Sequence, residues 1–154
     1  MTSKANHDLF VEMLTALGRK DYDTFKAALA PDVLLEWPYP PMEDFPTKQR
    51  GARWFRDVLE ASWADFDPYN YRIETIHDLA APDSLIAEYT SHSRFIPTNA
   101  PYSNRYIAVV DFADGRIVRW REYVNPITIS NIMGEQSRWS DKRHPDADGN
   151  TSFK

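Results

Sequence analysis

The stretch YIAVVDFADGRIVRWREYVNP, residues 106–126, decides the fold of this chain. Two runs rich in Val, Ile, Tyr and Trp flank Asp114-Gly115. An Asp-Gly pair between such runs is a strong hairpin signal, because both turn positions favour a positive φ. The sequence therefore predicts two antiparallel strands joined by a tight turn.

The turn also predicts a register. If Asp114 and Gly115 form it, counting outward places Ile107 opposite Glu122. Side chains alternate between the faces of a strand, so strict alternation divides the hairpin into two sets. One face is expected to carry Arg105, Ile107, Val109, Asp111, Val118, Trp120 and Glu122, and the other Tyr106, Ala108, Val110, Phe112, Ile117, Arg119, Arg121 and Tyr123. A carboxylate and the guanidinium of Arg105 would then share a largely apolar face.

The composition is that of one ordinary domain of 154 residues. Its 18 Lys and Arg against 23 Asp and Glu give a net charge of −5 without a basic cluster, so no general affinity for nucleic acid or an anionic membrane is expected. The absence of cysteine excludes disulfides, thiolate catalysis and Cys-ligated metals. No apolar run approaches the ~20 residues that span a bilayer, and the N-terminus lacks a signal-peptide core, so a cytoplasmic protein is the default expectation.

Aromatic residues make up 14% of the chain. This excess indicates either an aromatic-lined cavity or simply a large core. The candidates for a cavity lining are Trp37, Tyr39, Phe55, Tyr89 and Trp120. Aromatic walls with one or two buried charges suit a planar or cyclic, mostly apolar small molecule. The sequence has no phosphate loop, nucleophile elbow, dinucleotide motif or metal-ligand spacing, so we expect chemistry without a cofactor or metal.

Helical periodicity predicts three helices ahead of the long strands. The first runs from Asn6 to a Gly18 cap, the second covers residues 22–29 after an Asp21 N-cap, and the third begins at Gly51. Their order before the strands favours an α+β fold, in which a curved antiparallel sheet wraps around three N-terminal helices.

Alternation predicts strands at residues 33–37, 69–76 and 85–95, in addition to the hairpin. The segment PYPPMEDFP at 38–46 is too rich in proline for regular structure and is a candidate lid, with Tyr39 or Phe45 closing over a cavity. Residues 127–134 are expected to add a last turn. We expect one domain over residues 1–136 and a polar tail over 137–154 that is mobile or lies across a partner.

This order of elements resembles the cone-shaped fold of ketosteroid isomerase, nuclear transport factor two, scytalone dehydratase and the SnoaL-like polyketide cyclases. The segment LTALGRKDYDTFKAALAPDVLLEWP, residues 14–38, is similar to the helix-turn-helix-strand opening of that superfamily. The segment DFADGRIVRWREYVN, residues 111–125, is similar to its closing hairpin. The catalytic tyrosine and aspartate of the steroid isomerases fall on Met13 and Trp37, so steroid isomerase chemistry is not expected.

The pattern is most similar to that of the phenazine-biosynthesis A/B proteins. The resemblance implies that Glu122 takes their acid/base role and that His92 matches one of their histidines. It places their helix-three histidine at Val58 and their helix-three serine at Ser62. The histidine is therefore replaced by valine in this chain, whereas the serine is kept. We count Val58 and Ser62 with the aromatic candidates as substrate-binding residues.

Glu122 is the leading catalytic candidate, because burial in an apolar cavity raises the pKa of a carboxyl towards neutrality and suits it to proton transfer. The alternative is a rim glutamate that pairs with an exposed arginine. Arg105 would hold Glu122 ionised and stabilise an oxyanion, unless it forms only a surface salt bridge. His92 would relay a proton, although an isolated histidine in a strand is more often structural.

These residues predict a cofactor-free lyase, dehydratase or isomerase that moves a proton on a small aromatic or cyclic substrate. Two alternatives stay open: a cyclase or condensation accelerator as in phenazine or polyketide assembly, and a non-catalytic binding domain. The resemblance also implies a homodimer. Its predicted interface is the sheet face that carries Tyr106, Ala108, Val110, Arg119, Arg121 and Tyr123.

Overall fold

The computed structural model describes residues 3–134, together with the backbone of His144–Pro145 and Thr151–Ser152. The helices are α1 (Ser3–Gly18), α2 (Tyr22–Ala27), α3 (Ala52–Trp63) and α4 (Pro126–Met133), with a 3₁₀ turn at Ile96–Thr98. The strands of the main sheet are β1 (Leu29–Glu36), β2 (Lys48–Arg50), β3 (Phe66–Asp78), β4 (Ser84–Phe95), β5 (Ala100–Ala113) and β6 (Arg116–Val124). The short strands β7 (His144–Pro145) and β8 (Thr151–Ser152) pair with each other.

The three predicted helices are confirmed, with small changes at their ends. Asp21 caps α2 by accepting a hydrogen bond from the backbone N–H of Thr24 at 3.2 Å. This helix ends at Ala27 rather than at residue 29, because the Ala28 carbonyl accepts the backbone N–H of Ile117 at 2.9 Å. The chain therefore enters the sheet at Leu29, earlier than the alternation predicted.

The six strands form one mixed, curved sheet in the order β2-β1-β6-β5-β4-β3. Every pairing is antiparallel except that of β1 with β6, which is parallel. The long strands β3, β4 and β5 make the body of the sheet, and register shifts interrupt β3 near its start and middle. Such irregularities bend a strand and help a sheet to curl.

The Asp114-Gly115 turn is confirmed, with both residues at positive φ, but the register beyond it differs from the prediction. Phe112 lies opposite Ile117, whereas Asp111 lies opposite Arg119, so Val118 has no partner on β5. This extra residue shifts the rest of β6 by one position and turns its side chains to the other face.

The bulge at Val118 corrects the predicted pairing. Glu122 lies opposite Ala108, and Ile107 lies opposite Tyr123. The inner face carries Tyr106, Ala108, Val110, Phe112, Ile117, Trp120, Glu122 and Val124. The predicted common face for Arg105 and Glu122 is therefore wrong.

The core lies between the inner face of this sheet and the helices. Phe10, Met13 and Leu14 of α1 are fully buried, as is Phe25 of α2. Trp120 of β6 joins these elements, since its ring lies 6.1 Å from that of Phe10 and 6.2 Å from that of Phe25. Edge-to-face packing with Phe10 and tilted packing with Phe25 fix the position of the Trp120 ring.

The segment predicted as a last turn forms α4, which begins at Pro126 after an Asn125 N-cap. The predicted polar tail at 137–154 and the predicted domain boundary at residue 136 lie outside the described side chains. None of the helices within the described residues is both long and apolar enough to cross a membrane.

Candidate active site

A cavity of about 830 Å³ opens between the inner face of the sheet, α3, α4 and the loop at residues 38–46. Small-molecule sites commonly have a volume of roughly 300–1,000 Å³. Aromatic rings form a large part of its wall, namely Trp37, Phe45, Phe55, Trp63, Phe66, Tyr69, Tyr71, Tyr102, Tyr106 and Trp120. The predicted aromatic-lined cavity is therefore present in the fold.

Most of the candidate substrate-binding residues face this cavity, namely Trp37, Phe55, Val58, Ser62 and Trp120. Two do not. Tyr39 is 64% exposed and contacts Tyr123, with ring centroids 6.0 Å apart. Tyr89 is fully buried behind the wall, where its ring stacks on that of Tyr106 at 4.9 Å.

Glu122 is the one acidic group on the inner face of β6, and its exposed area opens into the cavity. The Tyr89 hydroxyl donates a hydrogen bond to its Oε2. Burial raises the pKa of Glu122 to about 7, and donation from the side chains of Tyr89 and Trp37 limits that rise. Within residues 3–134, no Lys, Arg or His forms an ion pair with it.

This arrangement keeps both protonation states of Glu122 accessible near neutral pH. A carboxyl with such a pKa takes up and releases protons under ordinary conditions. Burial also raises the pKa of Tyr89, and the charge of Glu122 raises it further, so the phenol keeps the proton that it donates. Tyr89 thus orients the carboxyl without exchanging its own proton.

Neither of the two predicted assistants reaches this carboxyl. Arg105 is exposed on the outer face of β5, opposite Thr90 of β4. His92 is exposed on the outer face of β4, where its Nδ1 lies 3.0 Å from Ser103 Oγ. Arg105 is separated from Glu122 by the bulge at Val118, which turns Glu122 to the other face. His92 is separated from it by alternation, since the preceding residue, Ser91, is the one that points inward.

Sequence reasoning missed a row of tyrosines on the cavity wall. Tyr69 and Tyr71 come from β3, whereas Tyr102 and Tyr106 come from β5. The Tyr106 hydroxyl lies 3.1 Å from that of Tyr69 and 2.8 Å from Ser91 Oγ. The signal was the even spacing within each pair, two residues on β3 and four on β5, which puts both members of a pair on one face of their strand. Strict alternation in the hairpin had placed Tyr106 on the face away from Glu122.

Residues 10–120 match the SnoaL-like domain family. The chain belongs to this family. The superfamily resemblance and the α+β cone predicted from the sequence are thereby confirmed.

One relative of this SnoaL-like domain is the uncharacterised protein YesE of Bacillus subtilis, which is 29% identical over 115 residues covering 75% of this chain and 78% of YesE. A Bacillus subtilis structure provisionally named an isomerase superposes with a TM-score of 0.80 at 25% identity, over 90% of this chain and 99% of that one. An LEH-like epoxide hydrolase of M. tuberculosis gives a TM-score of 0.64 at 24% identity, over 84% and 89% of the two chains. Proteins of several activities therefore share the fold of this SnoaL-like domain.

Proposed function

We propose that the protein is a cofactor-independent acid/base enzyme of lyase, dehydratase or isomerase type. It moves a proton on a small aromatic or cyclic, mostly apolar molecule, and Glu122 is the group that takes or gives that proton. The observation that carries this proposal is a carboxyl in an aromatic cavity without an ion-pair partner among residues 3–134. A buried carboxyl with no opposite charge beside it costs stability, and such groups cluster at functional sites.

The aromatic wall supports the same proposal. It excludes water and stacks on a planar ligand, and removal of water from around a carboxylate strengthens it as a base. Tyr89 holds the carboxyl in one orientation, so the proton acceptor is positioned before a ligand arrives. General acid/base catalysis by such a group contributes about 10²- to 10⁴-fold in rate.

The test uses 5-nitrobenzisoxazole, a planar aromatic probe that reports on a base in an apolar site. A carboxylate removes the proton from its C3 carbon, the ring N–O bond breaks, and the coloured product 2-cyano-4-nitrophenolate forms. We expect kcat/KM to rise through a pKa of about 7 and then level, because only the ionised carboxyl accepts a proton. Glu122→Gln should lose about 100-fold or more of that rate.

Glu88→Gln is the matched control, since Glu88 is exposed on β4 and bonds to His77 at 2.7 Å, away from the cavity lining. This variant should keep the full rate. A folded Glu122→Gln protein that keeps the wild-type rate would refute the proposal. A wild-type rate no greater than that of the same concentration of acetate would refute it equally.

A further inference from the structure

Asn104 is a polar side chain buried in β5, with 5% of its surface exposed. Its Oδ1 accepts the backbone N–H of Arg105 at 2.8 Å. Its Nδ2 donates to the Tyr102 hydroxyl at 2.9 Å and to the Asn125 carbonyl at 3.2 Å. Because a backbone N–H only donates and a carbonyl only accepts, these two neighbours fix the orientation of the amide.

The fixed amide determines the role of the Tyr102 hydroxyl. Its oxygen accepts from Asn104, so its own hydrogen must point elsewhere. Among the described residues, the Tyr106 hydroxyl is an acceptor close to that hydrogen, but it already contacts Tyr69 and Ser91, and Tyr102 makes no hydrogen bond to it. Tyr102 is 5% exposed and lines the cavity, and burial raises the pKa of its phenol, so it remains a donor.

A second group of hydroxyls points to the same conclusion. Ser91, Tyr106 and Tyr69 carry three hydroxyl hydrogens, but only two contacts join them. Ser91 is fully buried, with its Oγ 2.8 Å from the Tyr106 hydroxyl and also close to that of Tyr69, so its hydrogen is satisfied inside this group. Tyr69 and its neighbour Tyr71 both line the cavity, so a hydrogen left over from this group lies at the cavity wall.

The charges of the cavity wall restrict the ligand further. Four acidic residues line it, Asp57, Glu60, Asp65 and Glu122, and the first two pair with Arg56 at 3.0 and 2.6 Å. None of the described lining residues is Lys, Arg or His. A carboxylate or phosphate group would therefore meet the carboxyls of Asp65 and Glu122, which have no ion pair among the described residues, and would find no cation on the wall.

We propose that Tyr102, held by Asn104, donates a hydrogen bond to an uncharged oxygen of the ligand, so that the site selects cyclic molecules that carry a carbonyl or ether oxygen. Tyr102 lies well before Ala108 on β5, the residue opposite Glu122, so this oxygen binds away from the carboxyl. The ligand thus extends along the cavity, with an acceptor at one end and its reactive C–H at the other. The inference rests on the proposed function for the position of that C–H.

The test compares 1-tetralone with tetralin, two bicyclic probes that differ by a single carbonyl oxygen. Their dissociation constants are measured by ligand-observed NMR at pH 9, where Glu122 is ionised and unable to donate to the ketone. The wild-type protein should bind 1-tetralone about tenfold more tightly than tetralin, the effect of one hydrogen bond. The infrared C=O stretch of bound 1-tetralone should move to lower frequency.

In Tyr102→Phe, the two dissociation constants should become about equal and the infrared shift should disappear. Asn104→Asp should have the same effect although Tyr102 is retained, because an aspartate at this position draws the Tyr102 hydrogen to itself. Tyr71→Phe is the matched comparison, since Tyr71 also lines the cavity but does not bond to Asn104. It should keep the preference.

Circular dichroism first confirms that each variant is folded. Equal binding of the two probes by the wild-type protein, or no binding of either, would overturn the inference. So would a preference that survives Tyr102→Phe or disappears in Tyr71→Phe. Because binding requires no turnover, Glu122→Gln should keep the preference, and this separates failure of the inference from failure of the proposed function.

Discussion

At the scale of the residue, the proposed chemistry of the site depends on Glu122. Its carboxyl is shielded by rings, and only neutral donors, Tyr89 and Trp37, offset the cost of its charge. A phenol stabilises a carboxylate less than a guanidinium does, because it brings no opposite charge. The balance therefore leaves the pKa of Glu122 at about 7, above its ordinary value of 4.5.

This pKa predicts how stability changes with pH. Folding favours the protonated carboxyl, so the contribution is fully present below pH 4.5 and is lost as the pH rises to about 7. The loss is at most about 3 kcal/mol, from about 1.4 kcal/mol per pKa unit. Glu122→Gln stays neutral, so it should match the wild type at pH 4.5 and be more stable at pH 8.

Urea unfolding of both proteins at these two pH values measures the difference. Glu88→Gln serves as the control and should follow the wild-type pH dependence. A Glu122→Gln protein that is less stable than the wild type at pH 8 would mean that the ionised carboxyl is well paired, and the cavity argument would fail.

Residue-level reasoning from the sequence had limits that are visible at Glu122. The closing motif and the burial argument both indicated this glutamate, and its shared face with Trp120 follows from their two-residue spacing within one strand. The partner of Glu122 was not predicted correctly. The sequence offered Arg105 as a charged neighbour, whereas the structure supplies Tyr89 from β4, and nothing local in the chain reports contacts between strands 33 residues apart in sequence.

At the scale of the element, the bulge at Val118 is the feature that decides which side chains enter the cavity. No Gly or Pro marks it, so turn chemistry gave no warning. One cue was present: strict alternation placed Arg119 and Arg121 among Ala108, Val110 and Phe112, on a face that is otherwise apolar. A charged pair on an apolar face is a reason to suspect a register shift.

The loop at residues 38–46 is the second element that shapes the site. Phe45 is 8% exposed and its ring lies 4.9 Å from that of Trp37, while Pro41 and Met42 line the cavity. Tyr39 points to the outer surface. The prolines of this loop limit the entropy that it would lose on closing over a ligand.

We therefore predict that Phe45, and not Tyr39, is the side chain with which the lid closes over the cavity. Phe45→Leu should raise KM for 5-nitrobenzisoxazole about threefold to tenfold, since shortening a buried ring removes about 1 kcal/mol or more of contact. Tyr39→Ala should leave KM unchanged. Steady-state kinetics on the two folded variants decides this, and the gating idea is abandoned if Phe45→Leu binds and turns over the probe like the wild type.

At the scale of the whole molecule, the order of helices and strands was sufficient to predict the architecture. Amphipathic helices followed by long alternating strands have few stable solutions other than a sheet that wraps around the helices. The parallel pairing of β1 with β6 and the short strand β2 were not predicted. They depend on contacts between distant parts of the chain, which periodicity within a segment does not report.

Assembly is the remaining prediction at this scale. The interface predicted from the hairpin was wrong in part, because Tyr106, Ala108 and Val110 lie on the inner face. The outer face of the same hairpin still presents apolar surface, with Ile107 43% exposed. The family resemblance implies a homodimer, and this exposed sheet face suits a two-fold contact.

We expect light scattering at micromolar concentration to give twice the mass of one chain. Ile107→Asp should shift the protein towards the monomer, because a charge placed in an apolar contact is left without a partner on either subunit. Val11→Asp is the matched control, since Val11 is a similarly exposed aliphatic residue, 40% exposed on α1. A wild-type protein with the mass of one chain would exclude the dimer. A dimer that withstands Ile107→Asp would show instead that the two copies meet on another surface. The outer face of the hairpin would then not be the interface.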